Sequence, residues 1–296
     1  MLSQDAVTRS RPRVSALYCY PVKGCAPLTL TESALTRAGL EHDRVFMVVS
    51  EDGARAMTQR RHPRLALIRP EISAAGARLA LRSPGAGSIE IDVDVTGGRR
   101  DVTLFGATYQ GIDQGDEAGR WLSATLGVAS RLVRVPPEHD RVTDGLTPGT
   151  SGYADSCAVH LVSEASLDLL NRGLVANGSP AVAMSRFRPN IVVAGWDEPH
   201  AEDGLRRLRV GGGELGYAKL AIRCVVTTVD QASGLKSGPE PIRTLAAYRR
   251  APEGGLAFGA KFAVLEPGKL AVGDRITVDA WDDSGQGAAR PCRPVR

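Results

Sequence analysis

The sequence predicts a mainly β protein of the α+β class, with many short strands and only a few short helices. Its 296 residues include 33 glycines and 18 prolines, which suit short strands joined by turns better than a helical bundle. In the first half of the chain, short apolar stretches recur about every ten residues between Gly, Pro and Ser clusters, as in an antiparallel barrel or sandwich. A chain of this length can bury one large core or two closely joined ones.

Alternating or short apolar stretches predict the strands, which fall into two groups. The first group covers residues 14–20, 27–34, 45–50, 64–70, 77–82, 88–95 and 101–106. The second group covers residues 159–162, 191–194, 205–210, 213–220, 222–230 and 276–278. The Glu-Asp-Gly sequence at 51–53 predicts a hairpin turn, because Asp-Gly favours the backbone of tight hairpins.

Three helices are predicted from capping residues and from apolar residues at helical spacing. Asp113 can cap the first helix, and Gly127 can end it. Ser163 can cap the second helix, and Pro241 suits the first turn of the third. We expect a flexible N-terminus, two β-rich domains and a flexible tail, at 1–12, 13–135, 136–280 and 281–296.

Composition and motifs argue against several functional classes. The formal charge of +4 permits an anionic ligand but does not predict nucleic-acid binding, which usually shows a denser basic patch. No apolar run is long enough to cross a bilayer, so we expect no membrane partner. The sequence lacks a P-loop, a G-x-S-x-G elbow and a G-x-G-x-x-G following a strand, which argues against NTPase, hydrolase and dinucleotide-binding folds.

The chain has five cysteines, and no two of them form a C-x-x-C motif. Zinc ribbons, thioredoxin-type motifs and ferredoxin-type clusters therefore lack support. An odd cysteine count without a secretion signal indicates reduced thiols, and we expect a cytoplasmic protein. The five histidines are not spaced at the i, i+4 interval of a helical metal site.

The stretch at 222–230 is rich in Val, Ile and Thr and is predicted to form one continuous strand. Alternation along that strand places Cys224 on one face and Arg223 on the other. A single thiol in a strand is by default a small buried hydrophobe. Two features favour a functional thiolate instead, namely the adjacent arginine and the turn that begins at Asp230. This stretch by itself leaves both interpretations open.

Two loops in the first half carry basic side chains suited to an anionic ligand. In the first, proline fixes the approach of the chain, Gly24 opens the backbone and Lys23 offers a point charge. The alternative is a turn with a solvated lysine. In the second, Arg44 follows His-Asp at the start of a strand, where a structural ion pair is the alternative.

Two loops in the second half also carry polar groups that could hold a ligand. Ser156 and Cys157 precede a buried strand, where backbone N–H groups and the hydroxyl could grip a ligand; the alternative is an ordinary turn. Arg188 can bind phosphate through two hydrogen bonds, and Asn190 offers both a donor and an acceptor to a heterocycle edge. The alternative there is a positively charged loop.

Taken together, five segments occur in order along the chain: YPVKGC, HDRVFMVV, YADSCAVHLVSEASL, FRPNIVV and RCVVTTVD. This set closely resembles the MOSC-domain proteins that carry an N-terminal MOSC β-barrel, in particular the mitochondrial amidoxime-reducing component and its bacterial relatives. The resemblance covers residues 13–280. It implies a MOSC-type β-barrel preceded by a β-rich, barrel-like N-terminal domain.

The resemblance implies a molybdenum cofactor (molybdopterin), a pterin phosphate whose dithiolene holds the metal. By this likeness Cys224 is the molybdenum ligand, which suits a soft thiolate. Asp230 matches an acid near the metal with a proton-donor or structural role. The other residues implied to contact the cofactor are Lys23, Gly24, Arg44, Ser156, Cys157, Arg188 and Asn190.

The sequence departs from the family pattern in three respects. Gly24 stands where the family commonly has Ser, and Ser156-Cys157 stands where Thr-Ser or a similar pair is common. We expect neither the membrane anchor of the mitochondrial relatives nor the C-terminal iron–sulfur domain of some bacterial ones. Electrons would then come from a separate protein.

The resemblance therefore implies an oxidoreductase that reduces N-hydroxylated compounds such as amidoximes, hydroxylamines or N-hydroxylated bases. Its expected partners are a small N-hydroxylated substrate and an electron-donor protein of the ferredoxin, flavin or cytochrome type. One alternative is a molybdenum-cofactor carrier or a sulfur-transfer protein with a persulfide on Cys224. Another is a β-barrel binding module without the chemistry.

Overall fold

The computed structural model describes residues 11–53, 55–73 and 75–282. The two termini that were expected to be flexible, at 1–12 and 281–296, lie almost entirely outside the described residues. Trp281, the first residue of the expected tail, belongs to the last strand.

The described chain is mainly β, which confirms the predicted fold class. The strands, numbered in chain order, are β1 (Arg13–Cys19), β2 (Val22–Lys23), β3 (Leu28–Leu30), β4 (Glu32–Thr36), β5 (Gly39–Leu40), β6 (Phe46–Ser50), β7 (Arg69–Ile72), β8 (Arg78–Ser83), β9 (Gly87–Asp92), β10 (Arg99–Leu104), β11 (Ala107–Asp113), β12 (Ser130–Arg134), β13 (Val142–Thr143), β14 (Gly149–Thr150), β15 (Val159–Ser163), β16 (Ile191–Ala194), β17 (Leu205–Val210), β18 (Gly213–Arg223), β19 (Leu256–Glu266), β20 (Gly268–Ala271) and β21 (Ile276–Trp281).

Helices are few and short. The α-helices are α1 (Asp116–Leu126), α2 (Glu164–Ala176) and α3 (Ile242–Ala246). Short 3-10 helices cover Pro63–Leu67, Met184–Arg186, Ala201–Gly204 and Val225–Thr228. In the described part of the chain, no helix combines the length and apolarity needed to cross a bilayer.

The largest sheet joins the two halves of the chain. Its eight strands follow the order β21-β17-β18-β19-β15-β16-β1-β3, and β1 pairs antiparallel with β16. A five-stranded sheet has the order β10-β11-β12-β6-β2, with β2 and β6 parallel. The sheets end at edge strands and do not close into complete rings.

Each large sheet buries its own apolar core. Val14 and Leu17 on β1 pack with Phe262 on β19 beneath the eight-stranded sheet, and all three are fully buried. Phe46 on β6 and Leu132 on β12 belong to the core of the five-stranded sheet. The first half of the chain therefore contributes β1 side chains to the core of the second half, where apolar burial stabilises both.

Of the four predicted helix boundaries, two are confirmed and one is wrong, while Pro241 lies at the N-cap of α3 instead of in its first turn. Ser163 caps α2 by accepting a hydrogen bond from Ser166 N at 3.2 Å, and Gly127 ends α1 with a left-handed backbone at φ 72°. Asp113 does not cap α1, since Gly115 occupies the capping position. The Asp113 carboxylate is instead held by arginines on β10 and β12.

The predicted continuous strand at 222–230 is also wrong. β18 ends at Arg223, and the 3-10 turn Val225–Thr228 follows it. Cys224 lies between them, and its carbonyl accepts hydrogen bonds from Thr227 N at 3.1 Å and Thr227 Oγ1 at 3.0 Å. Threonine hydroxyls compete in this way with extended backbone, which explains why the strand stops.

Smaller differences from the predicted strands follow from local chemistry. The first part of the predicted strand at 64–70 forms the 3-10 helix Pro63–Leu67, because proline suits the first turn of a helix. Strands β11 and β12 were not predicted, since their polar and basic residues weaken the alternation that marks a strand.

Candidate functional site

A cavity of about 550 Å³ is lined by residues from both halves of the chain, and its size lies in the range of about 300–1,000 Å³ usual for ligand sites. Eight of the nine residues predicted for the site lie on its wall. They are Lys23, Gly24, Arg44, Ser156, Cys157, Arg188, Asn190 and Cys224. The fold thus brings together side chains that are separated by up to two hundred residues in the sequence.

The cavity wall concentrates positive charge. Its cationic residues are Lys23, Arg44, Arg60, Arg188, Lys219, Arg223 and Lys261. Its acidic residues are Asp144, Asp155 and Glu253. Cationic residues outnumber acidic ones on this wall, although the whole chain has a formal charge of only +4. The electrostatic field inside the cavity is therefore positive and favours an anionic ligand.

Lys23 and Gly24 lie at the end of β2, which its parallel pairing with β6 holds in place. The buried Lys23 ammonium donates to Tyr153 O at 2.9 Å and forms an ion pair with Asp155. Burial lowers the pKa of Lys23, and the Asp155 carboxylate opposes that shift. Gly24 has φ 83°, and a Cβ there would lie 3.3 Å from Leu65 Cδ1. The turn therefore uses a left-handed backbone conformation that glycine adopts readily.

Arg44 and Arg188 are held against one aromatic ring. The guanidinium carbon of each lies 4.2 Å from the ring centroid of Tyr20, within the range of a cation–π contact. Arg44 also pairs with the buried Asp43 carboxylate. Both arginines have left-handed backbones, with φ 49° and 55°. Such strain in non-glycine residues persists where surrounding contacts hold it, as it often does at functional sites.

Asn190 is almost fully buried and positions Arg44. Its Oδ1 accepts hydrogen bonds from Arg44 Nη1 at 3.0 Å and from His160 N at 3.1 Å. Its Nδ2 donates to Tyr18 O at 3.1 Å. These contacts occupy the acceptor that was expected to read a heterocycle edge and leave one amide hydrogen for a ligand.

The polar loop before β15 presents its two predicted residues differently. Ser156 is half-buried on the cavity wall, and its carbonyl accepts from Ser151 Oγ at 2.8 Å. Cys157 is 2 % exposed, and its thiol contacts Asp144 O at 3.5 Å. Burial raises the pKa of Cys157, which keeps this thiol neutral.

Cys224 is partly exposed, whereas Cys19, Cys25 and Cys157 are buried. Arg60 lies on the same cavity wall, and its interaction with Cys224 raises the pKa of Arg60. Among the described cysteines, Cys224 is therefore the accessible one, and it lies near a cation.

Arg223 shares the cavity wall with Cys224, so its predicted position on the opposite face is wrong. The reason is that strand alternation stops where β18 ends. Arg223 Nη2 donates to Phe187 O at 2.8 Å. Arg223 Nε is buried and has no hydrogen-bond partner among the described residues.

Asp230 does not line the cavity. Its carboxylate accepts from Ser233 N at 2.8 Å and from Arg186 Nη2 at 3.0 Å. The hydrogen bonds with Ser233 are the main cause that lowers the pKa of Asp230. This placement gives Asp230 a structural function in the predicted turn and provides no support for a proton-donor role.

Several cavity residues were not singled out from the sequence. Arg60 and Arg61 are adjacent just before a 3-10 helix, and the sequence does not indicate which of the two side chains faces the cavity. Lys219 and Lys261 lie opposite each other on β18 and β19. In the sequence, each lysine lies between two apolar residues of its strand, and strand pairing was needed to interpret this signal.

Two family models match the chain. The MOSC N-terminal beta barrel domain matches residues 11–129, and the MOSC domain matches residues 148–277. Mitochondrial amidoxime reducing component 2 of Rattus norvegicus is 35% identical over 93% of this chain and 88% of its own length. The chain belongs to the MOSC-domain family. The resemblance seen in the five sequence segments is therefore confirmed.

Further relatives of this MOSC-domain protein include two kinds of protein. Mitochondrial amidoxime-reducing component 1 of Mus musculus is 32% identical over 93% of this chain and 87% of its own length. Molybdenum cofactor sulfurase of Danio rerio is 32% identical over 83% of this chain, but that match spans only 31% of the sulfurase.

These relatives contradict the predicted cytoplasmic location. The rat and mouse relatives are named as mitochondrial components. The prediction was drawn from an odd number of cysteines, which bears on the redox state of a compartment and does not identify the compartment.

Proposed function

We propose that this MOSC-domain protein binds a molybdenum cofactor and reduces N-hydroxylated compounds with electrons from a separate redox protein. The observation that carries the proposal is Cys224, a partly exposed thiol that interacts with Arg60 on the wall of a cation-lined cavity. Similarity to amidoxime reducing components over nearly the whole chain supports the substrate class.

The residues of the cavity fit a group that carries both a phosphate and a metal. Arg223 Nε is a buried donor without a partner in the described chain, and the surrounding cations can neutralise a phosphate. The described residues contain no group of three or more His, Cys, Asp or Glu able to hold a metal. A metal at Cys224 would therefore bring most of its ligands with it, as a dithiolene cofactor does.

Each cavity residue has a distinct task in this proposal. Cys224 supplies one thiolate ligand to the metal. Lys23, Arg44 and Arg188 contact the cofactor, and the Tyr20 ring keeps the two guanidinium groups in place. Ser156 and Cys157 form the adjoining wall, with the buried thiol of Cys157 as packing and not as a ligand.

The reaction converts an N–OH group, two electrons and two protons into N–H and water. When bound, the cofactor supplies a metal that exchanges electrons and takes oxygen. The chain binds the substrate beside Cys224. An uncharged substrate fits the apolar part of the wall, formed by Met57, Phe105, Phe187, Ile222 and Val226. The two electrons come from a separate donor protein of the ferredoxin, flavin or cytochrome type.

Metal content and turnover test the proposal directly. Protein from a host that makes the cofactor should contain molybdenum and reduce an amidoxime with an artificial electron donor. Cys224→Ala should lose most of the molybdenum and the turnover, whereas Cys157→Ala should retain both. Unchanged metal content and turnover in Cys224→Ala would exclude the proposal.

A second candidate function is sulfur transfer through a persulfide on Cys224. The similarity to a molybdenum cofactor sulfurase over 83% of this chain favours it. The Cys224 thiolate would attack the terminal sulfur of a donor persulfide and release the donor thiolate, leaving a persulfide on Cys224. Intact-protein mass spectrometry distinguishes the two functions. One added sulfur on Cys224, without turnover of amidoximes, would favour sulfur transfer.

A further inference from the structure

Lys261 lies in the middle of β19 and faces the cavity. His160 on β15 and Lys219 on β18 are its direct cross-strand partners. Directly opposed residues share one face of a sheet, and all three side chains line the cavity. They form a row across three neighbouring strands.

The other basic side chains of the cavity have partners. The pairs are Lys23–Asp155, Lys219–Asp144, Arg44–Asp43, Arg60–Cys224 and Arg188–Gln231. Within the described residues, Lys261 makes no hydrogen bond or ion pair. Arg223 Nε is likewise buried without a partner there. The Lys261 ammonium and the Nε donor of Arg223 therefore remain without an acceptor.

The environment of Lys261 disfavours its charge in the ligand-free chain. Burial is the main cause that lowers the pKa of Lys261 to about 7, and Arg223 and Arg44 lower it further. Asp155 and Cys157 act in the opposite direction. The ammonium is therefore partly deprotonated at neutral pH, and an anion bound beside it would raise the pKa and cause proton uptake.

Charged and titratable groups face Lys261 from each element packed against it. They are His160 on β15, Lys219 and Arg223 on β18, Arg44 before β6, and Asp155 and Cys157 in the loop before β15. Burial holds the pKa of His160 well below its usual range, so this ring stays neutral. Lys219 is paired with Asp144 at 2.6 Å. Proton uptake near neutral pH is thus expected from Lys261.

We infer that Lys261 and Arg223 form an anion-binding position for a phosphate monoester, distinct from the Lys23–Asp155 ion pair. A phosphate offers several acceptor oxygens, which suit the free Nε donor of Arg223 and the unpaired ammonium of Lys261. The identity of the molecule that carries the phosphate rests on the proposed function. That molecule is either the cofactor or an anionic substrate. The position itself is testable without molybdenum.

Calorimetry of inorganic phosphate binding to the full, cofactor-free chain tests the position. Titrations near pH 7 in two buffers of different ionisation enthalpy give the number of protons taken up. Phosphate also titrates near neutral pH, so uptake here means the protons that wild type binds beyond those exchanged in the Lys261→Arg titration. Wild type should bind phosphate with such uptake. Lys261→Gln should lose the uptake and weaken binding by about tenfold or more. Lys261→Arg should bind as tightly without uptake, because a guanidinium is always charged. Lys219→Gln, on the next strand, should keep the uptake.

The inference is overturned if wild type does not bind phosphate, or if Lys261→Gln binds it with unchanged affinity and proton uptake. Circular dichroism of each variant checks that it is folded. The same titration on cofactor-loaded protein shows which molecule's phosphate occupies the position. Loss of binding would assign the position to the cofactor's phosphate, and retained Lys261-dependent binding would assign it to a substrate. The phosphate titration needs no metal, and the molybdenum and turnover measurements need no free phosphate, so the failure of the proposed function is recognised separately.

Discussion

Arginine side chains organise the cavity at the scale of single residues, and each is fixed by a different contact. Arg44 and Arg188 lie against the Tyr20 ring, whereas Arg60 interacts with Cys224. Arg223 is tied to a backbone carbonyl through Nη2. The planar, permanently charged guanidinium suits all these contacts, and lysine would not replace it equally.

Replacing Arg60 should make Cys224 less reactive. Arg60→Gln removes the cation near the Cys224 sulfur, and the alkylation rate should fall several-fold because a neighbouring cation makes a cysteine a better nucleophile. Mass spectrometry of the iodoacetamide adduct on Cys224, followed with time near neutral pH, measures this rate.

Arg61→Gln is the matched control, because Arg61 is the next residue and does not line the cavity. It should alkylate at the wild-type rate. Equal slowing in both variants would mean that general surface charge, and not the Arg60–Cys224 contact, sets the reactivity.

At the scale of elements, the ends of strands and helices place the functional groups. β18 delivers Arg223 and Cys224 to the cavity because it stops there and a 3-10 turn begins. The cap of α2 fixes the C-terminal end of β15, because Ser163 is both the last residue of that strand and the N-cap of the helix. Its hydroxyl also lies 2.6 Å from Ser166 Oγ.

Ser163→Ala should destabilise the protein by about 1–2 kcal/mol, because it removes a buried cap and leaves the Ser166 amide without its acceptor. The midpoint of urea unfolding measures the change. Ser33→Ala, which removes an exposed hydroxyl on β4, should shift the free energy of unfolding by no more than about 0.5 kcal/mol. Equal effects would contradict a capping role.

At the scale of the whole molecule, the boundary between the two large cores does not coincide with the boundary between the two MOSC matches. β1 and β3, from the first half of the chain, are strands of the sheet that the second half builds. Val14 and Leu17 on β1 are fully buried in that sheet's core. The cavity takes its wall from both halves, so ligand binding requires them to be joined.

The chain should therefore unfold in one cooperative transition. Trp121 on α1 belongs to the first half, and its fluorescence can be isolated with Trp196→Phe and Trp281→Phe. The guanidinium midpoint from this fluorescence should coincide with that from far-UV circular dichroism. Two separate midpoints would show that the halves unfold independently.

The sequence by itself determined the class of fold, the capping of α2 and eight of the residues on the cavity wall. Strand alternation, capping chemistry and short ordered segments are local signals, and they survive without knowledge of distant contacts. Tertiary structure alone decided that Arg223 faces the cavity, that Asp230 does not, and that Lys261 lies opposite His160 and Lys219. These positions depend on where a strand stops and on which strands pair, and such choices are set by non-local hydrogen bonds and packing.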